Sequence, residues 1–368
     1  MPAPDDVDRV VLVGLIVLIV FVGFVVLIVL TTALPAVPPA AAAHPLRLAL
    51  LLIVAFVAGV GVALQSHING ELGARLGDGF LAAVISFGSG LLILAAASLF
   101  WRPGRRGVGR VVTAVRTRSI PWWYLVGGAG GAVFVLTQSL VVGLVGVALF
   151  TVGVVAGQTT SSLLIDRRGL GNMGSKPATW QRFVGAVIAL LAVGLAGSSE
   201  LRGDVPVWVL VIPVLAGLGV GVQQAVNGQV RSVAGSAFTA TLGNFLVGAF
   251  LLAVAAVIHT AIVGWPVHIP STLWLYLGGP VGIAFIAAQT IIVRTTGVLL
   301  MGLALLSGQL VTAVAFDLVA PVRAHPIEPL TIVGAALTLV AVAIAAVPGR
   351  RTRPQASGAN PSDSEFMQ

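Results

Sequence analysis

Carboxamide side chains recur at a fixed spacing in a chain that has few polar side chains. Gln65 and Asn69 stand four residues apart, and Gln223 and Asn227 repeat the pair within the same Q-x3-N-G phrase. Residues four apart lie on one face of a helix. An amide in hydrocarbon is costly unless it has a hydrogen-bond partner. These four side chains must therefore face protein or a water-filled path, where an amide can both donate to and accept from a solute.

Two interpretations of these pairs stay open. In the first, all four amides line a translocation path and contact the substrate. In the second, Gln65 and Gln223 hydrogen-bond between helices, and each Asn-Gly ends a helix through a glycine in the left-handed conformation. We favour the second interpretation for the Asn-Gly pairs and neither one for the glutamines.

Two further glutamines, Gln138 and Gln289, lie in the middle of apolar runs, each seven residues after a glycine. Their depth makes them candidates for substrate contact. A hydrogen bond between neighbouring helices is the alternative role.

A polar stripe with a carboxylate at its end also occurs twice. Gln158, Ser162 and Asp166 are spaced i, i+4 and i+8, and Gln309 and Asp317 reproduce the two ends of the stripe. Carboxylates in or beside membrane helices are rare and usually functional. We predict that the stripe couples transport to protons or gates each side. The alternative is an aspartate that is held by neighbouring loop arginines.

The composition shows what must position these groups. The chain of 368 residues is 58% hydrophobic and 9% charged, against about 25% charged residues in soluble domains. A membrane-spanning helix needs ~20 apolar residues. Eleven such runs occur, at roughly 10–31, 46–66, 80–101, 121–143, 145–165, 181–199, 205–226, 237–259, 271–292, 297–317 and 328–348. We predict an all-α polytopic membrane protein.

The chain is internally duplicated. Residues 61–90 align with 219–248, and residues 123–166 align with 274–317, with matches on Gln, Asn, Asp, Trp and Gly. Each copy holds five helices, and an odd number inverts the second copy, as in secondary transporters. The predicted units are an N-terminal helix and linker at 1–45, repeats at 46–200 and 201–348, and a disordered tail at 349–368.

The first run, 10–31, follows an acidic segment, whereas a secretory signal begins with positive charge. We interpret it as a transmembrane helix added before the repeats. Cleavage within the small-residue stretch 38–43 is the alternative.

The net charge of +8 does not indicate a nucleic-acid partner, because the basic residues cluster between helices. Loops on one side of the predicted bundle hold 16 Lys and Arg residues, and loops on the other side hold 4. This bias assigns the richer side to the cytoplasm. The C-terminus is then cytoplasmic, and the lipid bilayer that surrounds the helices is a predicted partner of the chain.

Enzyme signatures are missing from the sequence. It has no cysteine, no H-E-x-x-H, no phosphate-binding loop and no cluster of histidines. We therefore predict no enzymatic activity, no cofactor and no metal site.

These motifs resemble a known group. The five-plus-five layout is similar to the drug/metabolite transporter superfamily, and Q-x3-N-G with GQ-x7-D resembles its YdcZ-type family in the fused ten-helix form. The related small multidrug transporters use a carboxylate in their first helix, and the corresponding run 46–66 has none. The resemblance implies an exporter in the cytoplasmic membrane of a bacterium.

We therefore predict secondary-active export of a small neutral or amphipathic molecule by alternating access, with protons as the candidate coupling ion. The alternative is a flippase-like lipid-handling protein or a non-transporting scaffold on the same fold. The sequence assigns no oligomeric state.

Overall fold

The computed structural model of the protein describes residues 45–168, 180–198, 206, 208–265, 268–322 and 327–346. The predicted helix 10–31, its linker and the predicted tail lie outside these residues. So do the side chains of Asp166 and Gln289, although their backbones are helical.

The described residues form helices and connecting turns, with no strand among them. Seven apolar segments are long enough to cross a membrane, which confirms the all-α polytopic class. Short 3₁₀ helices, Trp122–Gly127 and Leu273–Tyr276, precede the α-helices that begin at Gly128 and Gly278. The nine α-helices of the described residues are α1 (Pro45–Leu76), α2 (Gly79–Phe100), α3 (Arg102–Arg116), α4 (Gly128–Arg168), α5 (Trp180–Gly197), α6 (Trp208–Ala234), α7 (Ala237–Val263), α8 (Gly278–Val319) and α9 (Pro329–Ala346).

Helix α4 contains the two predicted helices 121–143 and 145–165, which meet at a sharp break. Gly146 has φ 84° and ψ 169°, a conformation that costs little only for glycine. We call residues 128–145 the first arm of α4 and residues 147–168 its second arm. In the other half, α8 likewise runs through both predicted helices, 271–292 and 297–317.

The prediction that Asn-Gly ends a helix was wrong in both halves. Helix α1 continues to Leu76, so Asn69 lies inside it, and α6 likewise continues seven residues past Asn227. The left-handed residues that follow these two helices are Gly77 (φ 65°) and its repeat counterpart Gly235 (φ 58°). The amide nitrogens of Asn69 and Asn227 donate to side chains of other helices, so the end of an apolar run was not the end of a helix.

The arginine-rich segment after the run 80–101, which the sequence placed between membrane helices, is largely helical. In α3, Gly104, Gly107, Val111 and Ala114 are buried along one face. Thr239 in α7 donates from its hydroxyl to the carbonyl of Gly104 over 2.9 Å. The arginines of α3 with described side chains lie on the exposed face, so α3 is an amphipathic helix that packs on the opposite half.

The two halves meet reciprocally where α2 crosses α7. The rings of Phe87 and Phe245 lie 4.9 Å apart. A Cβ on Gly90 would come within 2.3 Å of the Phe245 ring, and a Cβ on Gly248 would come within 2.3 Å of the Phe87 ring. The contact between Gly90 and Phe245 is thus repeated by their equivalents, Gly248 and Phe87, as across a two-fold axis.

Glycines also allow two parallel helix pairs to pack backbone against backbone. Helix α1 packs on α8, where a Cβ on Gly308 would lie 2.1 Å from the carbonyl oxygen of Phe56. The second arm of α4 packs on α6, where a Cβ on Gly217 would lie 2.1 Å from that of Val154. Small residues of this kind let membrane helices approach closely, and both pairs join one half to the other.

The bundle has two distinct ends. We call the end that holds Gly77, Gly146 and Asp317 the latch end. The opposite end, which holds Trp101, α3 and Ala234, is the arginine end. The loop charges of the sequence predict that the arginine end is cytoplasmic.

Replacing Gly217 by alanine should destabilise the protein by ~1–3 kcal/mol, because the added methyl group overpacks the contact between α6 and the second arm of α4. Thermal unfolding of the purified protein in detergent measures the effect. Gly243→Ala in α7 is the matched control, since no atom lies within 4 Å of its Cβ position. Equal unfolding temperatures for the two variants would contradict close packing at Gly217.

Candidate functional site

A buried chain of hydrogen bonds joins α1 to the first arm of α4. Asn69 donates from Nδ2 to Oε1 of Gln138 over 2.8 Å, and Gln138 donates from Nε2 to the hydroxyl of Ser66 over 2.8 Å. Ser66 in turn donates to the carbonyl of Val62. The structure thus brings together two predicted site residues, Asn69 and Gln138, and adds Ser66, which sequence reasoning missed.

Gln65 reaches from the first half into the second. Its Nε2 donates to the carbonyl oxygen of Gly278, at the start of α8, over 2.8 Å. A Cβ at Gly278 would lie 2.2 Å from Oδ1 of Asn69 and 2.6 Å from Oγ of Ser86. These two oxygens are buried and have no hydrogen-bond partner among the described residues. Glycine at this position therefore leaves room beside two unsatisfied polar atoms.

The second half builds an equivalent cluster with a different partner. Oδ1 of Asn244 in α7 accepts from Nε2 of Gln223 over 2.8 Å and from Nδ2 of Asn227 over 3.1 Å. Asn244 aligns with Ser86 in the repeat. Neither residue was predicted as a site residue, although their polar character at matched positions was a readable signal.

Each amide pair faces a G-x3-G segment of the other half. A Cβ at Gly282 would lie 2.5 Å from Nε2 of Gln65, and a Cβ at Gly131 would lie 2.7 Å from Nε2 of Gln223. A Cβ at Gly127 would lie 2.8 Å from Oδ1 of Asn227. The predicted amides thus lie at the boundary between the halves, where inverted-repeat transporters hold their substrates.

Burial differs between the equivalent residues. Gln65 is 4% exposed and Asn69 is fully buried, whereas Gln223 and Asn227 are only partly buried. The stripe glutamines follow the same order, because Gln309 is fully buried and Gln158 is partly exposed. The latch-end copy of the site is sealed, and its arginine-end copy is more open.

Asp317 caps the helix break in the other half. Its Oδ1 accepts from the backbone N–H of Val147 and its Oδ2 accepts from that of Ala148, each over 2.8 Å. These are the first two N–H groups after Gly146, which lack partners within the helix. A carboxylate at a helix N-terminus also interacts favourably with the helix dipole. We call this contact the Asp317–Gly146 latch.

Three rings stack beside the latch. The His67 ring lies 4.5 Å from that of Phe316 and 5.9 Å from that of Trp274, nearly parallel to both. Nδ1 of His67 and Nε1 of Trp274 have no hydrogen-bond partner among the described residues. Nothing in the sequence showed that α1, α8 and the 3₁₀ helix meet at His67.

The equivalent position at the arginine end is a cavity. The repeat aligns Trp274 with Trp123, Phe316 with Ile165, and His67 with Ala225. All three of these counterparts line one small cavity. The space that an imidazole ring fills in the first half is thus not filled by alanine in the second half.

Unsatisfied polar atoms also lie below the latch. Gln309 precedes Asp317 by two turns of α8, and neither atom of its amide has a hydrogen-bond partner among the described residues. The same holds for Oγ1 of Thr151, one turn after Ala148. Buried polar atoms without partners are expensive in an apolar environment, so a solute or water is the expected partner. In the part of the chain that the structure describes, no group of three acidic, histidine or cysteine residues could hold a metal ion.

Comparison with known proteins agrees with this architecture. A family model described as "Putative inner membrane exporter, YdcZ" matches the chain twice, over residues 50–195 and 208–344. A solved structure described only as "Crystal structure of protein" is similar, with 21% identity and a TM-score of 0.50 over 84% of this chain and 99% of that chain. No curated protein matches. The two family matches fall on the two halves and together cover most of the sequence. The chain therefore belongs to the YdcZ family of inner-membrane proteins.

Proposed function

We propose that the protein is a secondary-active exporter that moves a small neutral or amphipathic molecule by alternating access between its halves. The observation that carries this proposal is the unequal burial of two equivalent amide sites in one structure. In an inverted repeat, exchanging the conformations of the halves exchanges which end is closed. A sealed latch end with a looser arginine end corresponds to one of the two states of such a cycle. With the arginine end in the cytoplasm, this is the state that receives substrate from inside the cell.

The polar groups of the site favour an uncharged or weakly charged solute. Gln65, Asn69, Gln138, Gln223 and Asn227 offer donors and acceptors but no net charge, and we extend the same role to Gln289. The unpartnered oxygens of Asn69 and Ser86 and the amide of Gln309 are the groups that a solute would satisfy. Family membership supports export in general, and the site chemistry narrows the class of substrate.

Protons are the coupling ion that we propose, with Asp317 as the carrier at the latch end. The Asp317–Gly146 latch uses both carboxylate oxygens as acceptors. Protonation removes the charge and converts one oxygen to a donor, which weakens the cap and frees the two halves to separate there. The repeat gives Asp166 the corresponding role at the arginine end, and Gln158 and Gln309 each lie two turns before the aspartate of their own stripe.

Changing Asp317 to Asn should open the latch end. The charge–dipole interaction and one charge-assisted acceptor are lost, together worth ~1–2 kcal/mol, which is a factor of about 5–30 in an equilibrium. The chain has no cysteine, so Thr151→Cys provides a single buried reporter. Labelling of that cysteine by an impermeant maleimide should accelerate by the same factor.

Glu71→Gln is the control for this labelling experiment. Glu71 also lies near the latch end, but its carboxylate accepts from Arg75 one turn further along the same helix, within its own half. Equal labelling rates in the Asp317→Asn variant and the parent would refute a gating role for Asp317.

Replacing Gln309 by leucine separates a transporter from a scaffold. Removing a buried amide that has no partner should hold or raise the unfolding temperature, whereas export should fall at least tenfold if the amide contacts substrate. Untargeted metabolite and drug-susceptibility profiling of overproducing cells supplies the solute, and its efflux is then measured. Thr338→Val in α9, whose hydroxyl bonds only within its helix, should leave both readouts unchanged. Full efflux in a stable Gln309→Leu variant would exclude substrate contact at this residue.

A further inference from the structure

The helix α3 carries a concentration of positive charge and packs on helices that have no acidic residue. Its exposed face holds Arg105, Arg106, Arg110 and Arg116. The sequence contains no Asp or Glu from residue 79 to residue 165 or from residue 208 to residue 263. These ranges include every helix on which α3 packs, so no acidic side chain of those helices neutralises the arginines. We therefore expect the arginine face of α3 to bind an anion that is not part of the protein.

The position of α3 indicates that this anion belongs to the lipid headgroup layer. Trp101 immediately precedes the helix and is 55% exposed, and Trp122 follows it closely and is 68% exposed. Exposed tryptophans of membrane proteins concentrate at the level of the lipid headgroups. Val108 and Val112 are also exposed between the arginines. A helix that mixes exposed valines with arginines is suited to lie in the headgroup layer.

A shallow, open cleft beside α3 offers a place for a phosphate. Its polar lining consists of Arg106 and Arg110, one turn apart, with the hydroxyls of Thr113, Thr117 and Ser119. Gly109 leaves the cleft open, because no atom lies within 4 Å of its Cβ position. Guanidinium groups bind phosphate through paired N–H donors, and the hydroxyl of Thr113 can add a further hydrogen bond. The hydroxyls of Thr117 and Ser119 already donate to backbone carbonyls of the same segment.

The cleft is also rigidly tied to the other half of the protein. Arg110 donates from Nε and from a terminal nitrogen to the carbonyl of Ala234, at the end of α6. A Cβ on Gly107 would lie 2.3 Å from Oγ1 of Thr239. A headgroup in this cleft would therefore rest on α3 of one half while α3 rests on the α6–α7 turn of the other.

From these observations we infer that α3 forms a binding site for the phosphate of an anionic phospholipid, at the junction of the two halves. The bound headgroup neutralises the arginine cluster and holds α3 against the α6–α7 turn. The lipid thereby stabilises the packing at the arginine end. This role does not depend on the transported solute.

Titration of the purified full-length protein in a neutral detergent with phosphatidylglycerol tests the site. The lipid should raise the unfolding temperature, whereas phosphatidylcholine and inorganic phosphate at the same concentrations should not. In an Arg106→Gln, Arg116→Gln variant, the lipid concentration for half-maximal effect should rise at least fivefold. Arg110 is kept because it anchors α3.

Arg75→Gln is the matched control, since it removes one exposed arginine at the latch end and should respond like the parent. Equal stabilisation by phosphatidylcholine would overturn the inference, as would an unchanged response in the double variant. Stabilisation by inorganic phosphate alone would overturn the lipid assignment by identifying a soluble phosphate as the ligand. Efflux is not a readout here, so failure of this test leaves the transport proposal standing.

Discussion

In a bilayer, a polar group that finds no partner within the protein has no water to replace it, and this constraint shapes the whole bundle. The backbone break at Gly146 leaves the N–H groups of Val147 and Ala148 without helical acceptors, and Asp317 of the other half supplies both. The amides of α1 obey the same rule, since Asn69 and Gln65 find their acceptors on Gln138 and on the backbone of Gly278. Satisfying polar groups therefore requires the two halves to stay together.

Duplication makes that requirement reciprocal. Glycines of one copy let the other copy pack closely, and the equivalent glycines of the second copy make the same contact in reverse. Gly90 packs on Phe245 in this way, and Gly248 packs on Phe87. Such contacts depend on small residues and shape, because lipid tails provide little hydrophobic force between helices. Reciprocal glycine contacts hold the halves closely without fixing them through large side chains. A surface of this kind is compatible with sliding, which alternating access needs.

Sequence patterns predicted the helices and the pairing of the repeats, because both follow from the spacing of apolar and polar residues. They failed where tertiary partners decide the outcome. Asn69 and Gly70 have the composition of a helix end, but Gln138 satisfies the asparagine and the helix continues to Leu76. The partner of Asp317 was also unpredictable, since the acceptor and its donors are 170 and 169 residues apart. The glycines and arginines of α3 indicated a loop, and its helix forms because glycines fit against the other half.

The two copies have diverged where the ends of the bundle close, and this divergence explains which end is sealed. At the latch end, His67 stacks on Trp274 and Phe316 beside the carboxylate that caps α4. At the arginine end, alanine and isoleucine stand in place of the imidazole and the phenyl ring and leave a cavity. Aromatic pairs contribute roughly 0.5–1.5 kcal/mol each beyond the area that they bury. A difference of that size is enough to favour tighter packing at the latch end. Two identical halves would have equivalent ends, so the unequal aromatic packing distinguishes the two ends of the duplicated bundle.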